Sequence, residues 1–386
     1  MNEETFEIID GGLLTTVQDT GRYGYQKFGV PNSGGMDLQA LKSANILLNN
    51  PIDSACLEIT IIGPKIKFLK KTFISITGAN ISPKLNNKDI PMWQSIKISE
   101  GDVLEFKELI DGVRGYIGFM GGINVEKVMG SRSTYIPGNI GGFEGRKLQA
   151  GDILKSFCNN HINDMHLRKY KPLLYGHQHE IRIILGPQND YFSAESISTL
   201  LNSEYKISLE SDRMGYRLDG PVIKHIHTAD IISDGSPNGS IQIPGDGIPI
   251  ILLSDRGTTG GYTKIATVIS TDLSKLGQAL PGDIIKFKVI TFEEADKLTI
   301  SEREVLKSYE EFANKDEDKI FNIMIDGELI ESNYTSEKIY STKEKLPSPI
   351  ISNSINLKTK IPKSGHEFDF KLEYSRKKLI DENKLN

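Results

Sequence analysis

Leu57-Glu58-Ile59-Thr60-Ile61-Ile62 runs directly into Gly63-Pro64. The stretch is short, rich in β-branched residues and ended by a breaker, which reads as a β-strand and its turn. The pattern recurs outward along the chain. Phe73-Ile74-Ser75-Ile76-Thr77 stops at Gly78, Tyr116-Ile117-Gly118-Phe119-Met120 at Gly121-Gly122, and Glu180-Ile181-Arg182-Ile183-Ile184-Leu185 at Gly186-Pro187. Helical spacing is scarce. It is clearest from Asp37 to Asn49, where Leu38, Leu41, Ala44 and Leu48 fall near one face and Ser33 or Asp37 can cap the start. Two further helices are expected over about 192–201 and about 292–312. The fold class that follows is mainly β with a few helices.

Small echoes suggest internal order. Gly-Asp followed by two aliphatics occurs at Gly101-Asp102, Gly151-Asp152 and Gly282-Asp283, each reading as a turn that feeds a strand. Ile62-Gly63-Pro64 is echoed by Leu185-Gly186-Pro187, which hints at two similar halves. Beyond them the character changes. Of 36 glycines, 34 lie in residues 1–290, whereas Asp, Glu, Lys and Arg supply 61 of those 290 positions and 36 of the last 96. A turn-rich body is therefore followed by a charged appendage. Within the appendage, Phe321 to Ile330 alternates around Asp326-Gly327 and reads as one hairpin. Pro347-Ser348-Pro349 and the lysine-rich end read as partly disordered.

Composition excludes several functions. The 386 residues carry a net charge of −5, which offers no field for nucleic acid. Two cysteines, Cys56 and Cys158, cannot build a disulfide framework or a cysteine-rich zinc site. The acidic start and an apolar run no longer than Ile248–Leu253 point to a soluble cytoplasmic chain with no membrane role. No P-loop, G-x-G-x-x-G, G-x-S-x-G or H-E-x-x-H motif is present. The pairs His177/His179 and His225/His227 have a spacing that can hold a metal, but no third ligand follows at a familiar distance. They read as solvated surface histidines, and no metal site is assigned. No Ala-Met-Lys-Met sequence is present to carry biotin covalently.

Polar residues and glycine concentrate in four segments: 15–37, with Asp19 and Arg22; 121–146, with Arg132 between hydroxyls; 211–218, with Arg213 and Arg217; and 253–264, with Thr258, Thr259 and Tyr262. Arginines beside hydroxyls and free backbone N–H groups suit a carboxylate or phosphate, and glycines let the backbone approach a ligand. The same residues could equally tie down long loops. Physical reading ends at a small-molecule pocket of anion-binding character without an identifiable nucleophile.

These segments, in this order, resemble the 5-oxoprolinase C-subunit family, also described as allophanate hydrolase subunit 2 or the biotin-dependent carboxyltransferase family. That family includes an antagonist of a sporulation kinase inhibitor. The resemblance rests on Gly12-Leu13-Leu14-Thr15-Thr16-Val17-Gln18-Asp19, Gly29-Val30-Pro31, Met36-Asp37, Leu57-Glu58-Ile59-Thr60, Gly121-Gly122-Ile123, Gly130-Ser131-Arg132-Ser133-Thr134, Gly141-Gly142-Phe143-Glu144-Gly145-Arg146, Leu185-Gly186-Pro187-Gln188, Ser211 to Arg217, and Thr258-Thr259-Gly260-Gly261-Tyr262. It implies two tandem cyclophilin-like β-barrel domains, over 1–170 and 171–297, followed by a charged extension over 298–386. It implies the C subunit of an ATP-dependent 5-oxoprolinase, acting with A-like and B-like subunits to convert 5-oxo-L-proline to L-glutamate, with ATP used by the complex. Asp19, Arg213 and Arg217 would then be catalytic, and Arg22, Arg132, Thr258, Thr259 and Tyr262 would bind substrate or phosphate. Two alternatives remain: a carboxyltransferase acting on urea or a related amide with a separate biotin carrier, and a non-enzymatic regulator. The sequence departs from the family pattern at Gly257 and Ile248, where glutamines are usual, and at Thr263, where proline is usual.

Overall fold

The computed structural model describes residues 4–157, 168–314, 319–325, 328–334, 353–360 and 367–374, with side chains described up to residue 307. Cys158 and the 347–349 segment lie outside them. The chain divides into two compact units, Met1–Glu310 and Glu311–Asn386. Both are dominated by antiparallel β-structure, and four α-helices occur among the described residues: α1 (Leu38–Leu47), α2 (Ala194–Asn202), α3 (Ser270–Gly277) and α4 (Phe292–Asn314).

In the first half of the large unit, two sheets share one core. A six-stranded sheet contains Glu4–Asp10, Lys65–Phe68 and Val103–Phe106, and a five-stranded sheet runs Leu14–Gln18, Cys56–Thr60, Asp111–Phe119, Thr72–Asn80, Ser95–Ile98. Phe6 of the first stacks on Phe119 of the second at 4.2 Å, and Ile8, Ile66, Leu57, Ile59, Ile74 and Ile117 pack around them. Leu57 and Ile59 face this core, so alternation turns Cys56 and Glu58 to the opposite face, under α1. The sheet is thus covered on both sides. Small residues let α1 close on it: Ser75 Oγ donates to the Ala44 carbonyl at 2.7 Å and Thr77 Oγ1 to that of Ala40 at 2.8 Å. The strand quoted first ends at Thr60, earlier than its composition suggests. Ile61 adopts a left-handed φ of +61° and Ile62 is exposed.

The second half holds an eight-stranded sheet in the order Gln178–Leu185, Ile284–Val289, Tyr205–Ile207, Gly215–Asp219, Ile250–Leu252, Ser240–Ile243, Thr259–Val268, Asp230–Gly235. A further pairing of Gln178–Leu185 with Thr259–Val268 joins the first seven strands into a hydrogen-bonded ring. Ile181, Ile183, Tyr205, Tyr216, Leu218, Ile241, Ile265 and Phe287 form its core, and Met36 inserts from the first half.

Local chemistry explains the element ends. Asp37 caps α1 by accepting from the Ala40 N–H, and Ser193 caps α2 by accepting from Ser196. Thr291 and Glu294 form a reciprocal capping box at the start of α4. The three Gly-Asp echoes are one turn repeated. Asp102, Asp152 and Asp283 each accept from the backbone N–H three residues upstream at 2.8 Å. The preceding glycines have φ of +86°, +90° and +99°, which a side chain would strain.

The histidine expectation is corrected in part. His177 Nδ1 and His179 Nε2 lie 2.8 and 3.1 Å from the two carboxylate oxygens of Asp283, and His179 is buried. Among the described residues no group of three side chains is arranged to hold a metal ion, and no helix is long and apolar enough to cross a membrane.

The small unit is a four-stranded antiparallel sheet of Lys319–Ile325, Glu328–Tyr334, Asn353–Lys360 and Glu367–Tyr374. Ile323 pairs with Ile330 and Ile325 with Glu328, giving the expected hairpin about residues 326–327, which are not described. A second antiparallel pair, in which Leu357 opposes Phe370, adds to the single hairpin that the sequence suggests.

Candidate functional site

A buried polar interlock joins the two halves of the large unit, centred on Glu58. Its Oε1 accepts from Arg213 Nη1; its Oε2 accepts from the Met36 N–H at 2.8 Å and from Tyr116 OH at 2.7 Å. Arg213 also donates through Nε and Nη2 to Asp255 at 2.8 and 3.2 Å, and through Nη2 to the Gly34 carbonyl at 2.7 Å. Arg114 Nη1 reaches Tyr216 OH and the Gly277 carbonyl at 2.8 and 2.7 Å. Gln278 meets every hydrogen-bonding requirement of its amide. It accepts from the Val113 and Arg114 N–H groups and donates to Asp37 and the Arg114 carbonyl. Burial works to lower the Arg213 pKa, yet Asp255 and Glu58 raise it well above the ordinary value, so the guanidinium is a fixed cation.

Beside this interlock lies the loop cluster expected from sequence. Asp19 accepts from the Ser131 and Ser133 hydroxyls and from the Arg132 and Gly21 N–H groups, the last two at 2.6 and 2.8 Å. Three of these donors share Oδ1 and one reaches Oδ2, so the carboxylate organises the 131–133 loop. Arg22 is fully buried. Its Nε donates to the Val128 carbonyl at 3.0 Å and its Nη2 to that of Ser133 at 2.9 Å, while Nη1 has no hydrogen-bond partner among the described residues. Burial lowers its pKa against the opposing pull of Asp19 and Asp255. Asn32 bridges to the second half, donating to the Arg22 carbonyl at 3.0 Å and accepting from Arg256 Nη2 at 3.2 Å. Burial pushes Arg256 down to about 10, with Tyr23 and Asp255 opposing. Ser33 sits at φ +51°, its hydroxyl without a hydrogen-bond partner among the described residues and its N–H held by the Ser254 carbonyl at 3.0 Å. A left-handed backbone at Ser33 and buried polar atoms without a hydrogen-bond partner among the described residues thus occur along this seam.

The structure therefore brings Asp19, Arg22 and Arg132 together. Arg132 turns its guanidinium over the Phe157 ring at 4.9 Å and donates through Nε to Val125. Arg213 enters the same seam as a strut between Glu58 and Asp255, with four of its five N–H groups committed to Glu58, Asp255 and the Gly34 carbonyl. The Thr258 carbonyl accepts from the Ser236 N–H at 2.9 Å, while Thr259 and Tyr262 are exposed at the start of their strand. Arg217 stands apart. Tyr216 and Leu218 of its strand face the core, so Arg217 points outward and pairs with Asp246 at the surface. Gly257 is exposed, with only the Thr259 carbonyl near a would-be Cβ, at 3.4 Å. Ile248 is half-buried. Sequence reasoning missed Glu58 and Arg114 and, although it marked the 253–264 segment, gave Asp255 and Arg256 no role; the usable signal was a charged residue inside an otherwise buried strand, as Glu58 is.

Residues 28–289 match the family described as carboxyltransferase domain, subdomain A and B. The chain is 36% identical to the C subunit of 5-oxoprolinase from Escherichia coli over 75% of its own length and 93% of that protein. It is 31% identical to the solved chain TTHA0988, with a TM-score of 0.68, over 74% of its own length and only 56% of that chain. The K. lactis urea amidolyase structure matches 93% of this chain at 27% identity and a TM-score of 0.74, yet the match spans 23% of that enzyme. Relatives of this chain are thus parts of enzyme assemblies, and the chain belongs to the family of carboxyltransferase domains that unite subdomains A and B.

Proposed function

We propose that this chain is the C subunit of an ATP-dependent 5-oxoprolinase that works with A-like and B-like subunits. The observation that carries the reading is the match to the E. coli protein over 93% of its length, which leaves no large part of that protein unrepresented. The chemistry fits the seam. An unstrained lactam resists hydrolysis, and transfer of the ATP γ-phosphoryl to the lactam oxygen, with loss of ADP, makes that oxygen a leaving group. Water then adds to the ring carbon, the C–N bond opens and the nitrogen gains a proton. A second water releases phosphate from the acyl phosphate that remains. Arg22 Nη1 and Arg256, cationic and buried between the halves, are suited to the substrate carboxylate or the developing phosphate charge. Asp19 and Arg213 hold the surrounding loops. ATP enters this reading as a substrate of the whole assembly, not of an assigned pocket in this chain.

A second reading, transfer of a carboxyl group to urea from a separate biotin carrier, is favoured by the K. lactis match over 93% of this chain. Affinity purification of the tagged chain from its host distinguishes them. Copurification of A-like and B-like subunits supports the lactamase reading, whereas a biotinylated carrier and a carboxylase support the other.

A further inference from the structure

The loop rooted at Arg22 carries its aromatic side chains outward. The Arg22 N–H donates to the Asn32 carbonyl at 2.6 Å, and Asn32 Nδ2 returns a bond to the Arg22 carbonyl. These bonds close residues 23–31 into a loop of the Ω type. It is also held from within. The Phe28 N–H donates to the Tyr25 carbonyl at 2.9 Å, and Gln26 Oε1 accepts from the Gly24 N–H at 3.1 Å. Gly29 ends the single 3-10 turn Gln26–Phe28 at φ +80°. Yet Tyr23 is 64% and Phe28 69% exposed, and a Cβ on Gly24 or Gly29 would meet nothing within 4 Å. Two aromatic side chains thus stand in open space on ordered backbone, so little conformational freedom is left to lose when they are buried.

The charge around the loop has one sign. Residues 20–36 hold Arg22 and Lys27 but no Asp or Glu, although the whole chain carries a net charge of −5. Lys27 Nζ lies over the Phe28 ring, 5.0 Å from its centroid, which sets a cation beside the exposed aromatic. At the root, the hydrogen bonds of Arg22 and Arg256 among the described residues go to neutral oxygens. These are the carbonyls of Val128, Ser133, Ser236 and Leu253 and the Asn32 amide. Asp19 and Asp255 act on Arg22 through space, but their bonds go to the 131–133 loop and to Arg213. The loop therefore offers aromatic contact area within a positive field, the complement of an apolar surface bordered by carboxylates. Through Asn32 and Ser33 it is tied to Arg256 and Ser254, so it stands at the seam between the halves.

We propose that the loop of residues 23–31 docks a partner subunit, seating Tyr23 and Phe28 in an apolar pocket of that chain rimmed by carboxylates. A second copy of this chain fits less well. In a two-fold contact built on this loop the same cationic surface would face itself. The inference rests on the proposed function for the existence of a partner subunit, but not for the reaction that the assembly performs.

The test is calorimetric titration of the full chain with each purified candidate partner: the A-like subunit, the B-like subunit and the carboxylase of the second reading. Tyr23→Ser and Phe28→Ser remove the aromatic anchors, and Lys27→Glu reverses the exposed charge. Ile62→Ser is the control. Ile62 is 58% exposed and lies beyond the far end of the strand that leads into the loop, since Leu14 pairs with Thr60 and Gln18 with Cys56. Expected is binding of one partner that weakens roughly tenfold or more in each anchor variant. Lys27→Glu should also weaken it, more at low salt than at high. Ile62→Ser should bind like the parent, and all four variants should keep its melting temperature. If the carboxylase alone binds in this way, the docking loop stands and the lactamase reading falls. If the A-like or B-like subunit binds but ignores Tyr23→Ser and Phe28→Ser, the docking loop falls and the lactamase reading stands. Binding of none of the three, or self-association that the anchor variants abolish, overturns the docking loop.

Discussion

Replacing Arg213 by alanine tests the seam most sharply, because sequence and structure give this residue different parts. A substrate ligand could be removed with loss of turnover and little loss of stability. The structure instead shows one guanidinium holding two carboxylates, Glu58 and Asp255, whose side chains are 1% and 5% exposed. Alanine leaves both carboxylates buried without their shared cation. Arg114 compensates little, since its Nε stands 4.0 Å from Glu58 Oε1. Breaking a buried pair in this way costs about 3–5 kcal/mol, which lowers Tm by roughly 6–10 °C in a unit of this size. Glu58→Gln should cost less, because Arg213 keeps Asp255. The assay is thermal and denaturant unfolding of both single variants and the double, from which the coupling follows. An Arg213→Ala protein that melts within about 1 °C of the parent would refute the strut.

Other outcomes follow from the same geometry. Asp19→Asn replaces an acceptor of four donors by a group that brings donors of its own, and should cost about 1–3 kcal/mol and speed proteolysis near residues 131–133, read by denaturant titration and timed digestion. Burial raises the Cys56 thiol to about 12, so it should resist iodoacetamide at neutral pH until the chain is unfolded, as peptide mapping would show. Asp272 is pushed up by burial but held below its ordinary range by the hydrogen bonds from Arg182. Its stabilising contribution is therefore complete above the unfolded value of about 3.9 and lost as pH falls through the lower folded value, so Asp272→Asn should flatten the acid decline of Tm. Gly257→Gln adds a side chain to open space and should change stability by no more than about 0.5 kcal/mol in an unfolding titration.

Much of the fold was legible because it rests on local pattern. The strands announced themselves through β-branched runs and breakers, and α1, α2 and α4 through spacing and caps. Helix α3 did not, because Ser270-Thr271-Asp272 and Lys275 leave too few apolar positions to show a periodic face. The second hairpin of the small unit was hidden by lysines, although Ile355, Leu357, Phe368 and Phe370 alternate within it. The site was legible in part. Glycine-rich polar segments marked Asp19, Arg22 and Arg132, but partner choice was not readable, since Glu58 and Arg213 are 155 residues apart and Asp19 and Ser133 are 114 apart. Only the folded register decides that Arg213 turns inward and Arg217 outward.

The central claim is that this chain completes a lactam-opening assembly. The most direct test is ADP release by the purified assembly on adding 5-oxoproline, run with and without this chain. The account predicts 5-oxoproline-dependent ADP and glutamate only when the chain is present. ADP release that needs urea and bicarbonate, and ignores 5-oxoproline, would contradict it.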